Sequence, residues 1–188
     1  MERQKIGFNL EDEFIRINNL FKSESYIAEF DAYDKKGSLY QFKTYKKNCM
    51  LMMGDLRRYL NHKKPFYLVV VERDNYGACI STKVVFIDPN GKFKTFLKNE
   101  RAEERLNDAK NLLNSVTNNY KDDKKFRESF KILKQKYRPS SLIQVQAKRD
   151  HKHQKRVQWA IANKNIDTFL NEIAEKPIET HYKTLNIH

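Results

Sequence analysis

YIAEFDAYDKKGSLYQFKTY, running from Tyr26 to Tyr45, reads as two β-strands joined by a tight turn, and its register decides the fold. The turn signal is Asp34-Lys35-Lys36-Gly37. A three-residue loop with Gly37 in the left-handed conformation closes a hairpin as a type I turn plus bulge. That closure sets Asp34 opposite Ser38 and, counting outward, Asp31 opposite Gln41. Side chains alternate along a strand, so Glu29, Asp31, Gln41 and Lys43 share one face, and Ala28, Phe30, Ala32, Tyr40 and Phe42 the other. One face is core. The other collects two carboxylates, an amide and an ammonium. A two-residue turn at Lys36-Gly37 would slip the register by one and separate Asp31 from Gln41, so the arrangement hangs on the glycine.

Outward from the hairpin the pattern is α/β. Leu10, Phe14, Ile17, Leu20 and Phe21 recur at helical spacing, with Asn9 as N-cap, predicting a helix of about three turns. Glu11 and Glu13 flank its apolar stripe on opposite sides, so either one borders a cleft but not both the same cleft. Between Lys22 and Asp31 there is little room for a further strand. Lys46 to Asn61 reads as a helix with Met50, Met53, Leu56 and Leu60 inward, and FYLVVVE, Phe66 to Glu72, as a strand buried on both faces. Strand, helix, strand implies a right-handed crossover. Lys46, Lys47, Arg57 and Arg58 then project near the end of the Gln41-Phe42-Lys43 strand as phosphate contacts. Lys83 to Ile87 is another strand, closed by the turn Asp88-Pro89-Asn90-Gly91. Beyond it, Ala102, Leu106, Ala109, Leu113 and Val116 mark one helix, and Phe126, Phe130, Leu133 and Tyr137 a second, stopped at Pro139. A late strand falls over 142–147, with helices expected around Val157 to Ala162 and Thr168 to Ala174. The expected fold is a mixed β-sheet flanked by helices, in an α/β core over 1–98, with a basic, mostly helical region over 99–188 packed on it.

Composition points to a polyanionic partner. The chain of 188 residues is 39% apolar and 12% aromatic, enough for a real core, yet carries a formal charge of +13. From Tyr120 to Gln158 there are thirteen Lys or Arg against four Asp or Glu, with Tyr137, His151 and His153 interleaved. That segment reads as a patch for a nucleic-acid backbone, with Lys148, Arg149, Lys155 and Arg156 among its binding residues. A membrane partner is disfavoured: the longest apolar run, Pro65 to Val71, is too short to span a bilayer, and MERQKIG lacks a signal-peptide apolar region. The expectation is an intracellular, cytoplasmic or DNA-associated protein, with Cys49 and Cys79 as reduced, buried thiols.

Asp31, then Gln41-Phe42-Lys43 ten residues on, preceded by a helix opening Gly7-x-x-x-Glu11, resembles the PD-(D/E)XK nuclease superfamily in a Gln-x-Lys variant. The likeness spans residues 7 to 90. It implies a restriction-endonuclease-like fold and a Mg²⁺-dependent (or Mn²⁺-dependent) DNA endonuclease of restriction, homing or repair type. Asp31, Gln41, Lys43 and Glu11 are the implied catalytic set. Asp31, Gln41 and Glu11 supply hard oxygen ligands, and Glu29, on the same face, restores the charge that the neutral Gln41 lacks. Lys43 orients the attacking water and stabilises developing charge. Cutting both strands implies a homodimer or a higher assembly. No histidine lies near the motif in sequence, and there is no P-loop. The alternative is a non-catalytic nucleic-acid-binding protein of a nuclease-like or unrelated α/β fold.

Overall fold

Gly37 has φ +80°; its N–H donates to Asp34 O and the Asp34 N–H to Ser38 O, both at 3.0 Å. The three-residue turn therefore forms, and the strands it joins pair Ala32 with Tyr40 and Tyr33 with Leu39, the expected register. In this computed structural model, which describes residues 2–24, 29–115, 124–137, 141–149 and 155–187, the first elements are α1 (Glu2–Ile17), β1 (Phe21–Lys22), β2 (Ala32–Tyr33) and β3 (Leu39–Lys46). The expectations placed on Tyr26 to Ala28, Val116, Lys121, Pro139, His151 and His153 lie outside the described residues. The chain continues through β4 (Leu51–Asp55), α2 (Leu56–Asn61), β5 (Phe66–Arg73), β6 (Cys79–Ile87), α3 (Lys92–Asn99) and α4 (Ala102–Asn114). It ends with α5 (Lys124–Lys136), β7 (Ile143–Arg149), β8 (Lys155–Ile161), a 3-10 turn, α6 (Ile166–Ile173) and β9 (Glu179–Tyr182).

The protein is α/β, with a mixed sheet of order β1-β2-β3-β5-β6-β9 flanked by helices. Only β3 and β5 run parallel, as expected of the crossover that joins them. The apolar run of β5 sits at the centre with Leu68, Val69, Val70 and Val71 all buried. Val69 and Val71 face α1 through Leu10, Phe14, Tyr40 and Phe42. Phe66, Leu68 and Val70 face the larger cluster, which holds α3, α4, α6 and a second, three-stranded sheet of order β4-β8-β7. A short strand does precede the hairpin: Phe21 and Lys22 pair with Tyr33 and Ala32.

Several local expectations are overturned. Lys46 to Asn61 is mostly not helix: after β3 the chain turns at Asn48 (φ 63°), forms β4, and becomes helical only from Leu56, where the Asp55 carboxylate caps the Arg57 N–H at 2.9 Å. The three- and four-residue spacing of Met50, Met53, Leu56 and Leu60 mimicked one helical face. In fact Leu51 and Met53 alternate inward as strand residues, and Met50 is exposed. Asn9 is no cap, because α1 begins seven residues earlier. Val157 to Ala162 is not a helix but the end of β8, whose Val157, Trp159 and Ile161 alternate into the core. The region after residue 98 is thus only partly helical, and both sheets draw strands from either side of that boundary. Cys49 is exposed rather than buried, and both cysteines are free thiols. Among the described residues no helix is long and apolar enough to cross a membrane.

A buried ion pair ties the start of α4 to the start of β7. Glu100, just before α4, accepts from the N–H groups of Leu142 and Ile143 at 3.0 and 3.2 Å and from Arg105 Nη2 at 3.3 Å, and Arg105 Nη1 donates to Ile143 O at 2.9 Å. Removing one partner strands the other charge in the core, a loss of roughly 3–5 kcal/mol. Glu100→Ala is therefore expected to lower the melting temperature by roughly 10 °C. Calorimetry showing an unchanged midpoint would remove the pair from its structural role.

Candidate active site

The alternation of β3 divides its side chains between the two cores. Tyr40 and Phe42 point to α1, while Gln41 and Lys43 lie beside Leu68 and Val70 of β5 and point the other way. Asp31 joins them from β2's side. Its N–H donates to Tyr40 O at 2.9 Å rather than continuing the ladder, because the chain bends at residues 29–31. The bend would leave the Phe42 N–H without a strand partner, and the Asp31 carboxylate takes its place: Oδ2 accepts from Phe42 N at 2.6 Å and from Gln41 Nε2 at 3.0 Å. The sequence expectation that Asp31 meets Gln41 is thus realised through side chains.

The bend also breaks the predicted alternation. Phe30 belongs to the larger core, not to the α1 face with Ala32, and Glu29 does not stand free as a spare ligand. Its Oε1 lies 2.5 Å from Nδ1 of His62. His62 stacks on Phe30, with ring centroids 5.1 Å apart and planes at 21°, and its side chain is fully buried. Burial pushes its pKa down, the bond to Glu29 holds it up, and Lys43 and Arg58 push it down further. A histidine therefore does stand near the motif, brought there by α2. Nothing in local sequence marked it, since it lies twenty-one residues after Gln41 in a segment read as the end of a longer helix.

α1 supplies the acid. Glu11 is half-buried and its carboxyl is pushed up from 4.5 to about 7, first by burial and then by the negative charge of Asp31, while Lys22 and Lys43 oppose the shift. Lys43 is half-buried, and burial holds its ammonium below the usual range, partly offset by Asp31 and Glu11 and reinforced by Arg58. Glu11, Asp31, Gln41 and Lys43 therefore form one electrostatic group. Glu13 instead is exposed and its charge acts on the Cys79 thiol. The ion pair of Lys22 with Asp12 ties β1 to α1 beside this group. Of the four cations expected at the end of β3, Arg58 reaches the site. Lys46 and Lys47 lie further along, beside Arg73 of β5, and Arg57 is exposed at the start of α2. Lys148 stands opposite Arg156, and Arg149 opposite Lys155, at the far end of the β7–β8 pair.

The donor set suits a hard cation. The Glu11 carboxyl, pushed up in part by the charge of Asp31, stands with that second carboxylate and the Gln41 amide as a set of oxygen donors. Among the described residues there is no group of three His, Cys, Asp or Glu that could hold a metal ion, so any such site needs the Gln41 amide oxygen as its third protein ligand. No protein-family model matches the chain, and no curated protein does.

Two outcomes follow from this geometry. Between about pH 4.5 and 7 the folded chain holds more proton on Glu11 than the unfolded chain, so this carboxyl's contribution to stability falls as pH rises through that window. Glu11→Gln is expected to stabilise the metal-free protein at pH 8 by on the order of 1 kcal/mol, the shift being discounted for the exposed part of the carboxyl, with little effect at pH 4.5. Urea denaturation at the two pH values reads the difference. Gln41→Glu places a third carboxylate against Asp31 in place of a hydrogen bond. It is expected to cost roughly 1–3 kcal/mol in EDTA and to recover on adding Mg²⁺. A melting curve indifferent to Mg²⁺ would show that no cation sits between these oxygens.

Proposed function

We propose that the chain is a Mg²⁺-dependent DNA endonuclease of PD-(D/E)XK type, hydrolysing phosphodiester bonds at Glu11, Asp31, Gln41 and Lys43. The observation that carries this reading is the convergence of Glu11, Asp31 and Lys43 from α1, the bend before β2 and β3, where the charge of Asp31 acts on both Glu11 and Lys43. A perturbed acid and a perturbed lysine gathered in one place are typical of reaction sites. The strand ahead of the aspartate, the adjoining strands of the hairpin and the parallel β3–β5 crossover agree with the family that the motif resembles.

Mg²⁺, when held by Glu11, Asp31 and Gln41, supplies neutralisation of the phosphate and activation of water. The chain's own groups do the rest. Lys43 places its ammonium where charge grows on the phosphoryl oxygens, and burial eases the loss of its proton. Arg58 adds a second positive charge on the same side. The Glu29–His62 pair, packed on Phe30, keeps the bend before Asp31 in place. Glu11 must lose its proton to act as a ligand, so cleavage rises with pH through about 7.

The non-catalytic reading draws on a different observation: Asp31 is already used as a clamp on Phe42 and Gln41, a role that needs no metal. Supercoiled plasmid with Mg²⁺, against an EDTA control, separates the two. Asp31→Asn keeps acceptors for the clamp while removing the charge, and Lys43→Ala removes the ammonium. Each is expected to lower nicking at least about a hundredfold and to leave plasmid affinity within a few-fold. Wild-type cutting by either variant would sink the site assignment. Salt-sensitive binding with no Mg²⁺-dependent nicking by the wild type would leave the binder.

A further inference from the structure

Beside the Asp31 group the larger sheet ends in an exposed pair of rings. β1 is its edge strand, and Phe21 stands directly opposite Tyr33 of β2. The two rings stack with centroids 5.4 Å apart and planes at 22°, yet Phe21 is 45% and Tyr33 42% exposed. Of the large apolar side chains exposed among the described residues, these two alone stack on one another. Tyr33 pairs with Leu39, which packs on the larger cluster, while the neighbouring Ala32 faces α1. Alternation therefore puts both rings on the face of the sheet that carries Gln41 and Lys43.

A cross-strand aromatic pair steadies a hairpin, but what flanks this one fits a nucleic-acid strand. On one side Asp31 lies two residues before Tyr33, roughly 7 Å along the strand. Its carbonyl accepts from the Ser23 N–H at 3.0 Å, which brings the end of β1 alongside it. On the other side the turn places Lys35 and Lys36, both exposed, just after Tyr33. The acid of that turn is spent on its backbone: Asp34 Oδ1 accepts from the N–H groups of Lys36 and Ser38, each at 2.8 Å. Carboxylates for a cation, then rings, then ammonium groups thus succeed one another along the hairpin. Rings interleaved with cations are how proteins hold single-stranded nucleic acid, because every base has a face to stack and every phosphate a charge to meet. Inside a duplex those faces are already covered by neighbouring bases.

We propose that Phe21 and Tyr33 form a stacking platform for an unpaired nucleobase next to the phosphate held at the Asp31 group, with Lys35 and Lys36 meeting a neighbouring phosphate. Resting on the nuclease reading above, this names the form of the substrate: a DNA strand that is single, or has parted from its partner, where it crosses the site. The rings accept any base, so the platform selects strandedness and not sequence.

The test measures affinity of the full chain in EDTA, so that nothing is cut, for three probes of equal length: a mixed-sequence single strand of DNA, the same sugar–phosphate strand with every base removed, and a blunt duplex. The wild type is expected to bind the single strand roughly fivefold to a hundredfold more tightly than the abasic strand, the range for one stacked base. Phe21→Thr/Tyr33→Thr, which keeps strand formers at two exposed positions, is expected to bind the single strand no better than the abasic one, and to bind the abasic strand and the duplex as the wild type does. Tyr33→Phe, which keeps the ring, is expected to retain the wild-type ratio. A wild type that does not distinguish the two strands, a double variant that still does, or loss of the ratio in Tyr33→Phe overturns the platform and leaves the nuclease reading standing, since that reading is decided by Mg²⁺-dependent nicking. A double variant weakened equally on all three probes also overturns it, the rings then serving only to hold β1. Binding to none of the three removes the platform and the nuclease reading together.

Discussion

The arrangement of the site depends on one substitution of partners: a carboxylate standing in for a strand. Where the chain bends away before β2, the ladder to β3 stops, and a buried N–H left unpaired costs as much as a lost hydrogen bond. Asp31 supplies the missing acceptor to Phe42 and holds the Gln41 amide with the same oxygen. The bend is therefore tolerated, and it is the bend that sends Phe30 and Glu29 toward His62 instead of onto the α1 face. Were the strand to continue regularly, Phe30 would lie with Ala32 against α1, and Glu29 would have no histidine to meet.

Around that carboxylate the electrostatics are unfavourable by design of position rather than by accident of surface. Glu11 is driven toward neutrality and Lys43 is held below its ordinary range, so each would be more stable in water than where it stands. A pair of opposite charges in such a place offsets part of the desolvation cost but not all of it. An apolar residue at either position would relieve the strain. A bound cation would offset the carboxylate charge that Asp31 and an ionised Glu11 bring together there.

The hairpin was the most legible part of the sequence because a glycine with positive φ admits few alternatives. Once Gly37 is left-handed, the pairings of Ala32 and Tyr33 follow, and with them the meeting of Asp31 and Gln41. Glu11 could be placed only to one of two flanks, since a helical wheel does not say which side meets the hairpin. The stretch after β3 misled because three- and four-residue spacing over Met50 to Leu60 is compatible with one helix, and equally with a strand followed by a turn of helix. Asp55, a residue suited to an N-cap, was the signal for the break. Val157 to Ala162 misled in the same way. With Ala160 buried on the outward side as well as Trp159 and Ile161 inward, a central strand lacks the alternation that marks an edge. His62 was invisible because what brings it to the site is packing, not spacing.

The same packing joins the candidate active site to the β7–β8 pair. Trp159 of β8 meets Tyr59 of α2 edge-on at 5.1 Å, Tyr59 meets His62 at 5.1 Å, and His62 stacks on Phe30, one residue from Asp31. Between β3, which carries Lys43, and β4, which pairs with β8, there are only the four residues 47–50. Close-packed aromatic contacts of this kind resist small displacements, because a shift in one ring must be accommodated by the next. β8 and the Asp31 carboxylate are therefore held in a fixed relation by one core. That rigidity sets the distance between the two places.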